Sequence, residues 1–205
     1  MIEYNNLYYD SCDTTDLKVG VYYKKQGLSE SDINKLTELA EDKYPFTKGK
    51  TSGQSDDLSD KEKFKTNKRD IAYFPYDENT KWIYDKLFIY SLEASEFFNI
   101  EIDIVTDLMH YVIYPEDGGH LTWHYDIGTG IINRRKLAMT VQLSDYDSYE
   151  GGEFEIYDGN TTPSTLPRHK GDIIIFPTYM LHRVTPITSG ERRCLVFWTG
   201  GKPFR

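Results

Sequence analysis

A chain of 205 residues has room for one domain with a substantial core and too little for two comfortable ones. Hydrophobic residues make up 39% and aromatics 15%, with 17 tyrosines and 10 phenylalanines, which excludes wholesale disorder and favours a packed protein rich in strands. The formal net charge of -9 opposes a broad electrostatic grip on phosphate backbones and no apolar run approaches membrane-spanning length, so neither nucleic acid nor membrane is expected as a partner.

The opening stretch, Met1 to Asp16, is acidic and tyrosine-rich, without the basic start and apolar core of a targeting signal, and a soluble cytoplasmic protein is expected. Cys12 and Cys194 lie far apart without metal-type spacing, and two free buried thiols in a reducing compartment are expected. Ser29 and Asp32 form a capping box with the shorter acid, and Ile33, Leu36, Leu39 and Ala40 recur at helical spacing until Tyr44-Pro45 stops the run. From Thr47 to Lys68 the chain is polar, which predicts a long loop; a flap that closes over substrate is the functional alternative. A short strand is expected at Asp70 to Phe74, stopped by Pro75. A second helix is expected from about Glu78 to Phe98, with Ile83, Leu87, Tyr90, Ala94 and Phe97 along one face.

After Glu101 the pattern turns strand-like and stays so. Turns are expected at Glu116 to Gly119, Gly128 to Gly130, Asp145 to Gly152, Asp158 to Asn160, Gly171 and Ser189-Gly190. About eight short strands at this spacing predict a mainly β chain with N-terminal supporting helices, its core a cupin-like jelly roll, or a small barrel. The expected division is 1–100 for helices and polar loop packed on the outside and 101–205 for the core, one domain overall.

Within that core, His124 and Asp126 sit two apart on an expected strand, so an imidazole and a carboxylate aim at one spot. Strand parity gives His120 the same direction, as a wall or core histidine. His182 is the candidate for a second imidazole, which would complete the two-histidine, one-carboxylate set that holds iron(II) and leaves adjacent positions open. An expected hairpin at Ser189-Gly190 folds Arg192 back beside His182, and parity turns Arg193 to the other side. Taken singly, each of these residues also fits a bland role on a strand edge or in a solvated Arg-Arg pair.

As an ordered set, His124-x-Asp126, His182 and Arg192 resemble the iron(II) and 2-oxoglutarate dependent dioxygenases, and within them the prolyl 4-hydroxylase-like branch. Supporting stretches are Tyr114-Pro115, Lys136 to Ser144, Tyr149 to Phe154 and Phe176-Pro177, so the likeness covers the chain from about Asp70 onward. It implies that His124, Asp126 and His182 hold Fe(II), that Arg192 grips the distal carboxylate of the cosubstrate 2-oxoglutarate, and that O2 is the oxidant, with ascorbate as a reductant. Tyr114 and Gln142 are implied as further 2-oxoglutarate contacts, and Arg135 is a candidate for the substrate side.

The implied reaction oxidises 2-oxoglutarate to succinate and carbon dioxide while hydroxylating a C–H bond, with a peptidyl proline the leading substrate. Asp126 favours hydroxylation over halogenation, because halogenating relatives lack that carboxylate. Trp198 stands where the nucleic-acid demethylase branch carries a second arginine. A peptide or protein partner is expected, on a monomer or weak dimer. Two alternatives stay open: a hydroxylase of a free small molecule, and a non-catalytic jelly-roll binding protein with a vestigial metal site.

Overall fold

The first helix starts where the sequence predicts because the Ser29 hydroxyl accepts from the Asp32 N–H while the Asp32 carboxylate accepts from the Ser29 N–H. It follows a short strand, β1 (Tyr22–Lys24), and as α1 (Glu30–Asp42) it buries Ile33, Leu36 and Ala40 on one face. The computed structural model describes residues 20–49, 67–159 and 162–203; Met1 to Asp16, Cys12 and the middle of the predicted 47–68 loop lie outside them. The described ends of that loop are strand: β2 (Phe46–Lys48) pairs with β4 (Asp70–Phe74), and β3 (Asn67–Lys68) lies between them in sequence. Among the described residues β2 and β3 are the outermost strands of their sheets, where polar sequence is compatible with strand.

The second helix, α2 (Lys81–Phe98), begins three residues later than predicted. The Asp77 carboxylate takes the N–H groups of Asn79 and Thr80, forming a turn that delays it. It ends at Asn99, which adopts the left-handed conformation.

Eleven further strands follow: β5 (Ile104–Val105), β6 (Met109–Tyr114), β7 (His120–His124), β8 (Arg135–Gln142), β9 (Tyr149–Gly151), β10 (Phe154–Tyr157), β11 (Ser164–Thr165), β12 (Ile173–Pro177), β13 (Leu181–Val184), β14 (Ile187–Gly190) and β15 (Arg192–Gly200). Antiparallel pairing arranges them as a jelly roll. The larger sheet runs β1-β12-β8-β15-β6-β4-β2 with β5 also on β15, the smaller runs β11-β10-β13-β7-β3, and β9 and β14 form a separate ribbon. The first hundred residues thus contribute strands to both sheets as well as the expected helices.

Two cores follow from strand alternation. Leu137, Met139 and Val141 of β8 and Leu195 and Phe197 of β15 face the helices, packed with Leu36, Ile83 and Leu87. Ala138 and the intervening Cys194 and Trp198 face the smaller sheet, packed with Leu121, Phe154 and Val184. The central strands of the larger sheet are therefore covered on both faces.

Two expectations are corrected. Tyr149–Gly151, inside the turn expected at Asp145 to Gly152, and Ile187–Gly190, which takes in the turn expected at Ser189-Gly190, pair with each other as the β9 and β14 ribbon. For the same reason Arg192 is not folded back along His182: β13 belongs to the smaller sheet and β15 to the larger, so the chain crosses between sheets and the two residues line one cavity from different walls. No helix among the described residues is long and apolar enough to cross a membrane.

Candidate active site

His124 on β7 and His182 on β13 are direct cross-strand partners, their ring centroids 4.1 Å apart. Each Nδ1 bonds the carbonyl two residues back in its own chain: His124 to Thr122 O at 2.8 Å, His182 to Met180 O at 2.9 Å. A carbonyl only accepts, so Nδ1 carries the proton and Nε2 presents its lone pair. Asp126 lies two residues past the end of β7, fixed by its N–H to Thr178 O at 3.0 Å. Its Oδ1 is 3.7 Å from His124 Nε2, its Oδ2 is 3.6 Å from His182 Nε2, and the three ligand atoms lie within 4.8 Å of one another. Two imidazole nitrogens and one carboxylate oxygen, converging from one side, fit a divalent transition metal that keeps positions free for other ligands.

Electrostatics suit that use. Burial, reinforced by the neighbouring His182, pushes His124 down to about 4, so its ring is neutral near pH 7 and available as a ligand. Burial alone would raise Asp126, but both imidazoles, the Trp198 indole and Arg135 hold it below the ordinary carboxylate value. The indole Nε1 donates to Asp126 Oδ2 at 2.9 Å, and Arg135 Nη1 donates to the Asp126 carbonyl at 3.2 Å.

One expectation of strand parity fails at β7. His182 pairs with His124, but Val184 pairs with Leu121, so β7 carries one residue more than β13 between these points. This bulge brings Leu121, rather than His120, to the cavity with His124; His120 bonds the Gly118 carbonyl at 2.8 Å.

Opposite the ligands, across a cavity of about 170 Å³, stands Arg192. It is 3% exposed, pairs in register with Tyr114 of β6, and has its guanidinium 5.3 Å from the centre of the Tyr114 ring. Its Nη1 donates to Cys194 Sγ at 3.6 Å and its Nε is buried without a partner. Burial opposes the charge, but Cys194, Tyr149 and Tyr114 more than offset it, and its pKa stays above the ordinary arginine value. Among the described residues no carboxylate pairs with it, and a buried cation facing a cavity is costly unless an anion joins it. Arg193 faces the other way, bonded to Glu191 and Glu41.

Other residues singled out in the sequence fall differently. Gln142 is buried behind the cavity wall, its Nε2 donating to Ser144 O and to the Tyr149 hydroxyl, both at 3.1 Å. Arg135 does reach the cavity, but its guanidinium is held by Asp107, at 2.8 Å and 2.5 Å, and stacks 4.3 Å over Trp198. It supports Asp126 from behind.

Sequence reasoning missed Trp198, His110, Arg69 and Tyr149. Parity was sufficient for two of them: counting by twos from Arg192 reaches Trp198, and counting back from Tyr114 reaches His110, whose ring packs edge-on against Trp198. Burial, then the charges of Arg69 and Arg135, push His110 down to about 3. Arg69, which follows β3, lines the cavity together with Tyr114; nothing local in sequence marks it.

Residues 109–200 match the family model of the 2OG-Fe(II) oxygenase superfamily. A PKHD-type hydroxylase of Rhizorhabdus wittichii is 45% identical over 76 residues, which cover 35% of this chain and 31% of that protein. Another, of Pseudomonas putida, is 36% identical over 103 residues, or 45% of each. The matched part thus spans less than half of these relatives. Among solved structures, a Trichoplax adhaerens prolyl hydroxylase in complex with a hypoxia inducible factor peptide aligns with TM-score 0.73 at 14% identity, over 95% of this chain and 89% of that one. A Pseudomonas putida prolyl-4-hydroxylase aligns with TM-score 0.69 at 14% identity, over 96% and 100%. At such identity these likenesses speak for the fold.

Proposed function

Because residues 109–200 match the family model of the 2OG-Fe(II) oxygenase superfamily, we propose that this chain is an Fe(II)- and 2-oxoglutarate-dependent dioxygenase hydroxylating a C–H bond, with a peptidyl proline as substrate. The observation that carries this reading is the pairing of an open three-ligand cluster with a buried guanidinium that has no carboxylate partner among the described residues, across one cavity. In it His124, Asp126 and His182 hold the metal, and Arg192 receives the distal carboxylate of 2-oxoglutarate through two parallel N–H donors. Tyr114, stacked under Arg192, forms the wall beside that carboxylate. Gln142 contributes through Tyr149, and Arg135 through Asp126.

When loaded, such a centre supplies oxidative decarboxylation of 2-oxoglutarate coupled to hydroxylation. The protein's part is to orient and to exclude water. The bonds at Nδ1 fix both imidazoles, Trp198 and Arg135 fix the carboxylate, and Phe154 and Phe176 pack against His182 at ring-centroid distances of 5.7 Å and 4.7 Å, keeping that side dry. The names of the relatives, PKHD-type hydroxylases and a prolyl hydroxylase with a bound peptide, support a peptide or protein as the acceptor. The same reading takes the chain as one domain, 101–205 its catalytic core and 1–100 its support, in a cytoplasmic monomer or weak dimer.

The test is succinate formation from 2-oxoglutarate with Fe(II) and ascorbate, in the wild type and in His124→Ala and Arg192→Ala. Both variants are expected to lose turnover while keeping the fold. Mass spectrometry of proline-containing peptides then looks for a gain of about 16 Da, one oxygen atom. Turnover unchanged in either variant contradicts the reading, and 2-oxoglutarate binding without any turnover favours a binding module.

A further inference from the structure

Tyr149 is buried to 3% exposure and stands at the head of the ribbon strand β9. Gly151 and Gly152, with φ of 73° and 63°, fold the chain back just after it. A Cβ placed on Gly152 would lie 3.2 Å from both Tyr149 Cε2 and Arg192 Cδ, so the phenol and the arginine stem meet over a residue with no side chain. The tyrosine is fixed at three points. The ribbon pairs its backbone with Gly190 of β14, Gln142 Nε2 donates to its hydroxyl at 3.1 Å, and the Arg168 guanidinium sits 5.1 Å from its ring centre while donating to Gly151 O at 2.9 Å.

Donor accounting gives the phenol oxygen its use. A guanidinium has five N–H donors in one plane, and a fork-on-fork grip of a carboxylate uses two of them. The plane must be held by the others. Sulfur is a weak acceptor, so the Cys194 contact holds Arg192 loosely; the Tyr149 phenol, which meets the arginine stem over Gly152 and helps to hold the Arg192 pKa above its ordinary value, offers an oxygen acceptor beside it, steadied by the bond from Gln142.

We infer that Tyr149, braced by Gln142 and Arg168, is the positioning residue that sets the plane of the Arg192 guanidinium and thereby the affinity for the distal carboxylate of 2-oxoglutarate. This rests on the proposed role of Arg192. Tyr149→Phe keeps the ring, and with it the Arg168 contact and the packing, and removes only the oxygen.

Calorimetric titration of the Mn(II)-loaded protein measures the effect without turnover. Tyr149→Phe is expected to bind 2-oxoglutarate about tenfold more weakly, the scale of one hydrogen bond to a charged group, with Mn(II) affinity unchanged. Affinity for 2-oxopentanoate, which has a methyl in place of the distal carboxylate, should not move. Gln142→Met, which leaves Tyr149 in place without its second partner, should weaken 2-oxoglutarate in the same direction by a smaller factor. Wild-type 2-oxoglutarate affinity in Tyr149→Phe, beside a loss in Arg192→Ala, overturns the inference alone. An equal loss for both oxo acids and for Mn(II) reduces Tyr149 to a packing residue and also overturns it. If Arg192→Ala itself binds 2-oxoglutarate normally, the reading beneath it falls.

Discussion

Replacing Trp198 by phenylalanine deletes one hydrogen bond and little else. The indole Nε1 donates to Asp126 Oδ2 at 2.9 Å between residues that are 6% and 9% exposed, so no water takes its place freely. A hydrogen bond to a charged acceptor contributes about 1.5–3 kcal/mol, and at about 1.4 kcal/mol per decade that is a tenfold to hundredfold loss of metal affinity. Losses on that scale are typical when a group supporting a metal ligand is removed. Phenylalanine still offers a ring to the Arg135 guanidinium, now 4.3 Å above it, and fills most of the same space, so the fold should hold. The assay is calorimetric titration of Mn(II) or Co(II) into both proteins at pH 7, with thermal melting of the metal-free forms as a control. Equal metal affinity in the two would refute the claim that the indole orients the carboxylate.

Three further outcomes are expected. Gly152→Ala forces a Cβ to 2.3 Å from Ile187 Cδ1 and 3.2 Å from Arg192 Cδ at a φ of 63°; the KM for 2-oxoglutarate should rise while metal affinity stays, and an unchanged KM would show that the arginine stem does not need that space. Asp107→Asn leaves the buried Arg135 cation without its anion, and should cost about 3 kcal/mol in urea unfolding; a change under 1 kcal/mol would mean that the pair is not a structural tie. The metal-free protein should lose stability as pH falls below about 6.5, the ordinary histidine value, because His110 and His124 are held at about 3 and about 4 and the unfolded chain takes up protons first. Each contributes a slope of up to about 1.4 kcal/mol per pH unit, levelling off near its folded value, so urea midpoints flat between pH 7 and pH 5 would contradict their burial as neutral rings.

The architecture was legible because strand alternation and turn spacing are local signals. The helix from Ser29 is an example, its start written in two residues three apart. The ligands were legible for a different reason: His124, Asp126, His182 and Arg192 form an ordered set whose likeness to a family carried what no single residue could. Illegible features depend on which strands become neighbours. The β7 bulge that turns Leu121 inward appears only once β13 lies beside it, and the hold of Asp107 on Arg135 joins residues 28 apart with β6 and β7 between them. Tyr149 looked like part of a turn, because its strand exists only by pairing with β14, whose last two residues, Ser189 and Gly190, also read as a turn.

The central claim is that one cavity holds a metal on three protein ligands and a dicarboxylic acid on Arg192. A crystal structure of the protein grown anaerobically with Mn(II) and 2-oxoglutarate tests it most directly. The account predicts one ion bonded to His124 Nε2, His182 Nε2 and Asp126, and the distal carboxylate of 2-oxoglutarate on the Arg192 guanidinium. An ion held elsewhere, or 2-oxoglutarate bound away from Arg192, would contradict it.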